Sequence, residues 1–147
     1  MRAAVSRADI VEAARGWLGT PYHHQASLRG VGCDCLGLVR GVWRELYGAE
    51  PEIPPPYSRC WAESLGAETL AAAAMRHLQL DPCGAARPGD VLLFRWRGHL
   101  PAKHCAILSA PDRILHAHDG VEVSEVAFSP WWRRHLSHAF SFPEITD

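Results

Sequence analysis

Two cysteines stand one residue apart in "GVGCDCLGLVRGVW", residues 30–43, and three histidines crowd "KHCAILSAPDRILHAH", residues 103–118. A thiol and an imidazole are the parts of a nucleophilic acyl-transfer site. The imidazole takes the thiol proton, the thiolate attacks a carbonyl, and a third polar group fixes the imidazole's tautomer. Cysteine also serves as a metal ligand, half of a disulfide or a small core residue. The pattern around Cys33 and Cys35 has to separate these uses.

From Asp34 onward, apolar residues fall at 35, 38, 39, 42, 43 and 46, and Gly48 follows. This spacing predicts an amphipathic helix with Cys35 in its first turn. A helix N-terminus carries about half a positive charge and backbone N–H groups without helical partners. Both favour a thiolate there and can hold the oxyanion formed in the attack. Cys33 precedes the helix, and Cys60, Cys83 and Cys105 lie elsewhere. A turn at "SAPDR" pairs residues 104–108 with 114–118 as a hairpin. In that register His104 lies opposite His118 and diagonal to His116, with all three side chains on one face. His104 is the candidate base; the pattern leaves His116 and His118 both open as its orienting partner.

The elements that must position these groups follow from the rest of the chain. Ser6 and Asp9 cap a helix carrying Ile10, Val11, Ala14, Trp17 and Leu18 and ending at Gly19. "GTPYHHQASLRGVG" is an ordered loop and "AEPEIPPPYSRC" a proline-dense surface connector. Residues 61–80, "WAESLGAETLAAAAMRHLQL", predict a long alanine-rich helix. "RPGDVLLFRW" is a turn and a strand; "HCAILS", "RILHAH", "GVEVSEV" and "HAFSFPE" are short alternating strands. "SPWWRRHL" is a helical turn started by Ser129 and Pro130. Helices followed by four or five antiparallel strands make an α+β chain, a single domain over residues 1–147.

Composition narrows the function classes. With 147 residues, 48% apolar, 21% charged and a net charge of −1, the chain is of globular type without the basic footprint of a nucleic-acid binder. No apolar run reaches membrane-spanning length, and the N-terminal residues lack the apolar core of a signal peptide. The expectation is a protein made in the cytoplasm and not inserted in a membrane. Five cysteines, an odd number, argue for reduced thiols.

The ordered set "GTPYHHQ", "GCDCLGLV", "RPGD", "KHCAI" and "ILHA" resembles the NlpC/P60 family of papain-like cell-wall cysteine peptidases, over residues 8–143. "GTPYHHQASLRG" and "DCLGLVRGVW" are most like the phage cell-wall peptidases, including those of tail-like particles and gene transfer agents. The resemblance implies a helical half carrying the nucleophile, packed on an antiparallel sheet carrying the histidines. It matches Cys35 to the nucleophile, His104 to the general base and His116, twelve positions on, to the third polar residue. It matches Tyr22 to a tyrosine that lines the site and helps hold the oxyanion. Asp34 becomes a contact for the peptide's amine or an orderer of the loop. Leu36 departs from the serine found after the cysteine in many members, which bears on substrate preference more than on reaction class. The implied activity is hydrolysis of a peptidoglycan stem-peptide bond, typically between D-glutamate and a diamino acid, with no cofactor and no metal. The implied setting is a phage-like or gene-transfer-agent tail, with tail-tip or hub proteins as partners and the cell wall as place of action.

Other uses of the conspicuous residues compete. His23 and His24 either wall the substrate groove or hydrogen-bond within their loop. Cys33 could pair with Cys35, though a C-x-C disulfide is strained. "RPGD" reads as turn chemistry, and Trp131 and Trp132 as core or interface anchors. Three rival functions remain: a structural tail-tip or hub subunit with a weak or silent site, a zinc site from Cys33, Cys35, His104 and His116, and the same fold acting as an amidase or acyl transferase.

Overall fold

The computed structural model describes residues 4–54, 69–118 and 120–147. Its first element, α1 (Arg7–Arg15), starts on the predicted capping box: Asp9 N–H donates to Ser6 Oγ (3.1 Å) and Ser6 N–H to Asp9 Oδ2 (2.9 Å). The helix stops four residues before Gly19. Trp17 and Leu18 N–H groups turn instead to the carbonyls three residues back, tightening the chain so that Trp17 is buried. A two-stranded hairpin, β1 (Ser27–Leu28) with β2 (Gly32–Cys33), closes the predicted loop and runs one residue past its end.

Helix α2 (Cys35–Tyr47) has the bounds its apolar spacing predicts, with Asp34 as N-cap and Gly48 at φ +92° beyond its end. Two glycines let it approach its neighbours. A Cβ on Gly41 would lie 1.9 Å from the Trp17 ring, and one on Gly37 would lie 1.9 Å from the Ala26 carbonyl oxygen.

The predicted helix over 61–80 is shorter at its far end. Cys60 and residues 61–68 lie outside the described residues; α3 (Thr69–His77) ends three residues early. Gln79–Asp81 form β3 instead, an edge strand paired with β8 (Leu136–Ser141) through Gln79↔Ser141 and Leu80↔Phe140. Pro82 cannot continue a helix, and the open edge of β8 offers the backbone partners that a last helical turn would lack. The sheet is therefore six-stranded rather than four- or five-stranded. With β4 (Val91–Phe94), β5 (His104–Ala110), β6 (Arg113–His116) and β7 (Ser124–Ala127), its order is β3-β8-β4-β5-β6-β7, every pair antiparallel.

Strand alternation divides the core between two faces. Leu93, Cys105, Ile107 and Leu115 pack with Ile10, Leu38 and Val42 of the helical half. Leu92, Phe94, Ala106 and Ile114 face the other way, toward Phe128 and Trp132, the latter on α4 (Pro130–His135) with Ser129 as its cap. "RPGD" is turn chemistry: Gly89 at φ +96° donates to the Leu108 carbonyl (2.7 Å). Buried Asp90 accepts from Arg7 (2.6 Å), tying α1 to the sheet. Replacing Gly37 by alanine drives a methyl group into the Ala26 carbonyl; denaturant unfolding should show a loss of about 1–3 kcal/mol. Gly84→Ala, with open space around the added methyl, should stay within about 0.5 kcal/mol of wild type.

Candidate active site

Asp34 builds the approach to Cys35. Its buried carboxylate accepts the Gly37 N–H (2.7 Å) with one oxygen and the Gln25 N–H (2.8 Å) with the other. One side chain thus caps α2 and pins the preceding loop, where Gln25 takes the left-handed conformation at φ +66°. Ser27 Oγ adds a bond to the Gly37 carbonyl (2.6 Å). Cys33 is bridged to Tyr22, its N–H donating to the Pro21 carbonyl and its carbonyl accepting from His23 N–H (each 3.0 Å). Tyr22 is therefore held in the segment alongside the cysteine pair.

Cys35 occupies the first helical position, half-buried, with its sulfur within hydrogen-bonding reach of the Cys105 thiol and the His104 imidazole. The thiol donated by Cys105, and after it His104, hold Cys35 well below the ordinary thiol range against the opposing effect of burial. Cys105 is driven well above that range by the bond to Cys35 and by burial. Burial, with the charges of Asp34 and Cys35, pushes Cys33 up to about 12, and burial also raises Cys83. Of these four thiols, Cys35 alone is set up as a thiolate.

His104 Nε2 and His116 Nδ1 are 2.8 Å apart, both rings buried. Burial first, then the neighbouring His104 and His118, push His116 down to about 3, so it is neutral at physiological pH. A neutral His116 can accept at Nδ1 the proton of His104 Nε2–H, which leaves His104 Nδ1 for the thiol. The pairing Ile107↔Leu115 and Leu108↔Ile114 is the predicted register, but the ladder with β5 ends at Leu115 and β6 at His116, short of His118. The diagonal partner thus makes the hydrogen bond, while the His118 ring lies edge-on to His104 at 5.2 Å.

Two tryptophans enclose these rings. Trp96 stacks on His104 (centroids 5.5 Å, 23°), and Trp132 meets His116 edge-on (5.1 Å, 84°). Trp132 is an anchor as expected from the sequence, but around the histidines. Trp96 and Cys105 were not legible as site residues: Trp96 follows Phe94, which pairs with His104, and only the β4–β5 register reveals this. Trp131 is 46% exposed and stacks on His135.

His23 is exposed, with Nδ1 3.3 Å from the His24 carbonyl; His24 lies 3.3 Å from the Gln25 amide. Both sit on the loop that Asp34 pins. Leu36 packs against the core. The zinc set of Cys33, Cys35, His104 and His116 is not assembled. Cys33 is buried in the helical core, and among the described residues the trio whose ligand atoms converge is His104, His116 and His118.

A model of the NlpC/P60 family matches residues 19–140. The chain belongs to the NlpC/P60 family. The family is one of cysteine-type peptidoglycan hydrolases. No curated protein matches the chain. Among solved structures, the NlpC/P60 domain of the peptidoglycan hydrolase SagA is 24% identical (TM-score 0.65), covering 94% of this chain and 100% of that one. An NlpC/P60 family protein from Bacillus cereus is 17% identical (TM-score 0.69), covering 95% of this chain and 41% of its own. The peptidoglycan hydrolase RipB from Mycobacterium tuberculosis is 16% identical (TM-score 0.62), covering 96% and 65%. These likenesses show a shared fold, with the NlpC/P60 chain spanning only part of the two longer relatives.

The depressed His116 has a stability consequence. Its folded value, about 3, lies below the unfolded value of about 6.5. The unfolded state therefore binds the extra proton between these limits, and the contribution of neutral His116 is full above about pH 6.5 and lost as pH falls toward about 3, by up to ~1.4 kcal/mol per pH unit. Unfolding free energies from about pH 7 to 5 should fall more steeply for wild type than for His116→Asn; equal slopes would contradict the assignment.

Proposed function

We propose that this chain is a cysteine endopeptidase of peptidoglycan stem peptides, cutting the bond between D-glutamate and a diamino acid. The observation that carries the reading is the lowered Cys35 thiol at a helix start, against a His104 imidazole backed by neutral His116. Peptidoglycan as substrate is supported by the family and by the stated activity of SagA and RipB.

In the proposed reaction His104 Nδ1 receives the Cys35 proton and the thiolate attacks the scissile carbonyl. The Cys35 backbone N–H and Tyr22 stabilise the oxyanion. His104 returns its proton to the leaving amine, forming a thioester that water hydrolyses with His104 again as base. His116 acts by holding His104 in the tautomer that presents Nδ1, a role that needs it neutral. Asp34 positions the nucleophile and orders the loop bearing His23 and His24, which wall the groove. No step calls for a cofactor.

The finer setting is a phage-like or gene-transfer-agent tail, docked on tail-tip or hub proteins and acting on the wall. It is supported by the likeness of "GTPYHHQASLRG" and "DCLGLVRGVW" to that subgroup.

Digestion of purified peptidoglycan, read by mass spectrometry, tests the reading. Wild type should release fragments with new D-glutamate carboxyl ends. Cys35→Ala should release none with its thermal stability kept, and His104→Ala should be nearly as damaging, because nucleophile and base act as a unit. His116→Ala should be milder than either. Retained hydrolysis in Cys35→Ala would end the proposal; cleavage at the sugar–peptide amide would convert it to an amidase.

A further inference from the structure

His118 has no part in the reaction just described, yet its ring closes a cluster with His104 and His116. One nitrogen from each of His104, His116 and His118 lies within 4.8 Å of the other two. The His116 and His118 rings are nearly parallel (16°, centroids 5.6 Å), and each meets His104 edge-on, at 5.1 and 5.2 Å. A tetrahedral ion with bonds of about 2.0–2.1 Å holds its nitrogen ligands about 3.3–3.4 Å apart. The 2.8 Å His104–His116 pair must open slightly and the wider pairs close by an ångström or so. Rotation of the histidine side chains is the movement that binding requires.

From this geometry we infer that His104, His116 and His118 form a three-nitrogen site for a borderline divalent transition ion of the zinc class, and that the ion inhibits the peptidase. Three imidazoles without a carboxylate select Zn²⁺, Co²⁺, Ni²⁺ or Cu²⁺ over Mg²⁺ and Ca²⁺. His118 is half-buried while its two partners are buried, so it marks the solvent side by which an ion enters. Trp132 meets the His118 ring edge-on at 5.8 Å and limits its swing.

Occupancy and catalysis compete for one lone pair. Coordination takes the His104 Nε2 lone pair, so the one ring proton of the Nε2–H tautomer moves to Nδ1, where it faces the thiol. His104 can no longer take the Cys35 proton, and His116 Nδ1 is drawn from His104 to the metal. No electron is transferred, and a chelator reverses the state. The ion is an inhibitor, not a cofactor. The binding rests on the histidine geometry; the inhibition rests also on the proposed hydrolase reading.

The test uses the full chain without a polyhistidine tag. Zn²⁺ is titrated calorimetrically into Cys35→Ala, in which hydrolysis is irrelevant, and into Cys35→Ala/His118→Gln, with circular dichroism confirming the fold of each. One ion per chain is expected, with affinity at least tenfold weaker in the double variant. Co²⁺ added to wild type should give four-coordinate visible bands without a thiolate charge-transfer band. Equal Zn²⁺ affinity in the two variants, or a thiolate band that Cys35→Ala abolishes, would overturn the site. If binding behaves as expected but Zn²⁺ leaves peptidoglycan digestion by wild type unchanged, the inhibitory role is overturned and the site stands. If wild type does not digest peptidoglycan, the hydrolase reading fails, and the calorimetry decides the metal site alone.

Discussion

The contact between the Cys35 sulfur and the first residues of β5 constrains most of what surrounds it. It requires the N-terminus of α2 to meet the strand and the preceding loop to stay clear of it. Asp34 meets both demands by capping Gly37 with one oxygen and holding Gln25 with the other. Gly37 must lack a side chain because the Ala26 carbonyl fills its place, and Gly41 must lack one because Trp17 does. Leu38 and Val42 then press α2 against the helix-facing side of the sheet, where Cys105 and Ile107 lie. The thiol's position is thus a product of core packing, the part of the fold least free to move.

Electrostatics gives chemically similar groups different tasks. Cys35 and Cys105 touch, yet one is driven down and the other up, because one proton between two sulfurs can serve only one of them. His104 and His116 also share a hydrogen bond, and burial with two neighbouring imidazoles keeps His116 from charging. A proton leaving the thiol therefore has one acceptor, His104. Trp96 and Trp132 supply part of the apolar enclosure that makes this division possible.

The parts of the site set by local periodicity were legible in the sequence. The spacing after Asp34 gives the bounds of α2 and puts Cys35 in its first turn, and strand alternation puts His104, His116 and His118 on one face. The choice of His116 over His118 was legible only through family resemblance, because it depends on where the β5–β6 ladder stops. Cys105 and Trp96 were not legible as site residues: both act across strand or helix contacts that no short-range pattern encodes. The same holds for β3, where the alanine-rich helical signal runs into Gln79–Asp81 and the edge of β8 decides the outcome. Local propensity yields to a long-range partner there.

Cys35 is held as a thiolate by His104 and Cys105, and its ultraviolet absorbance, titrated as wild type minus Cys35→Ala, reports that state. The midpoint should lie well below the ordinary thiol value of about 8.5, raised by His104→Ala but not fully restored, since Cys105 still donates to the sulfur. A midpoint near about 8.5 in the wild type, or one that His104→Ala leaves unmoved, would contradict it.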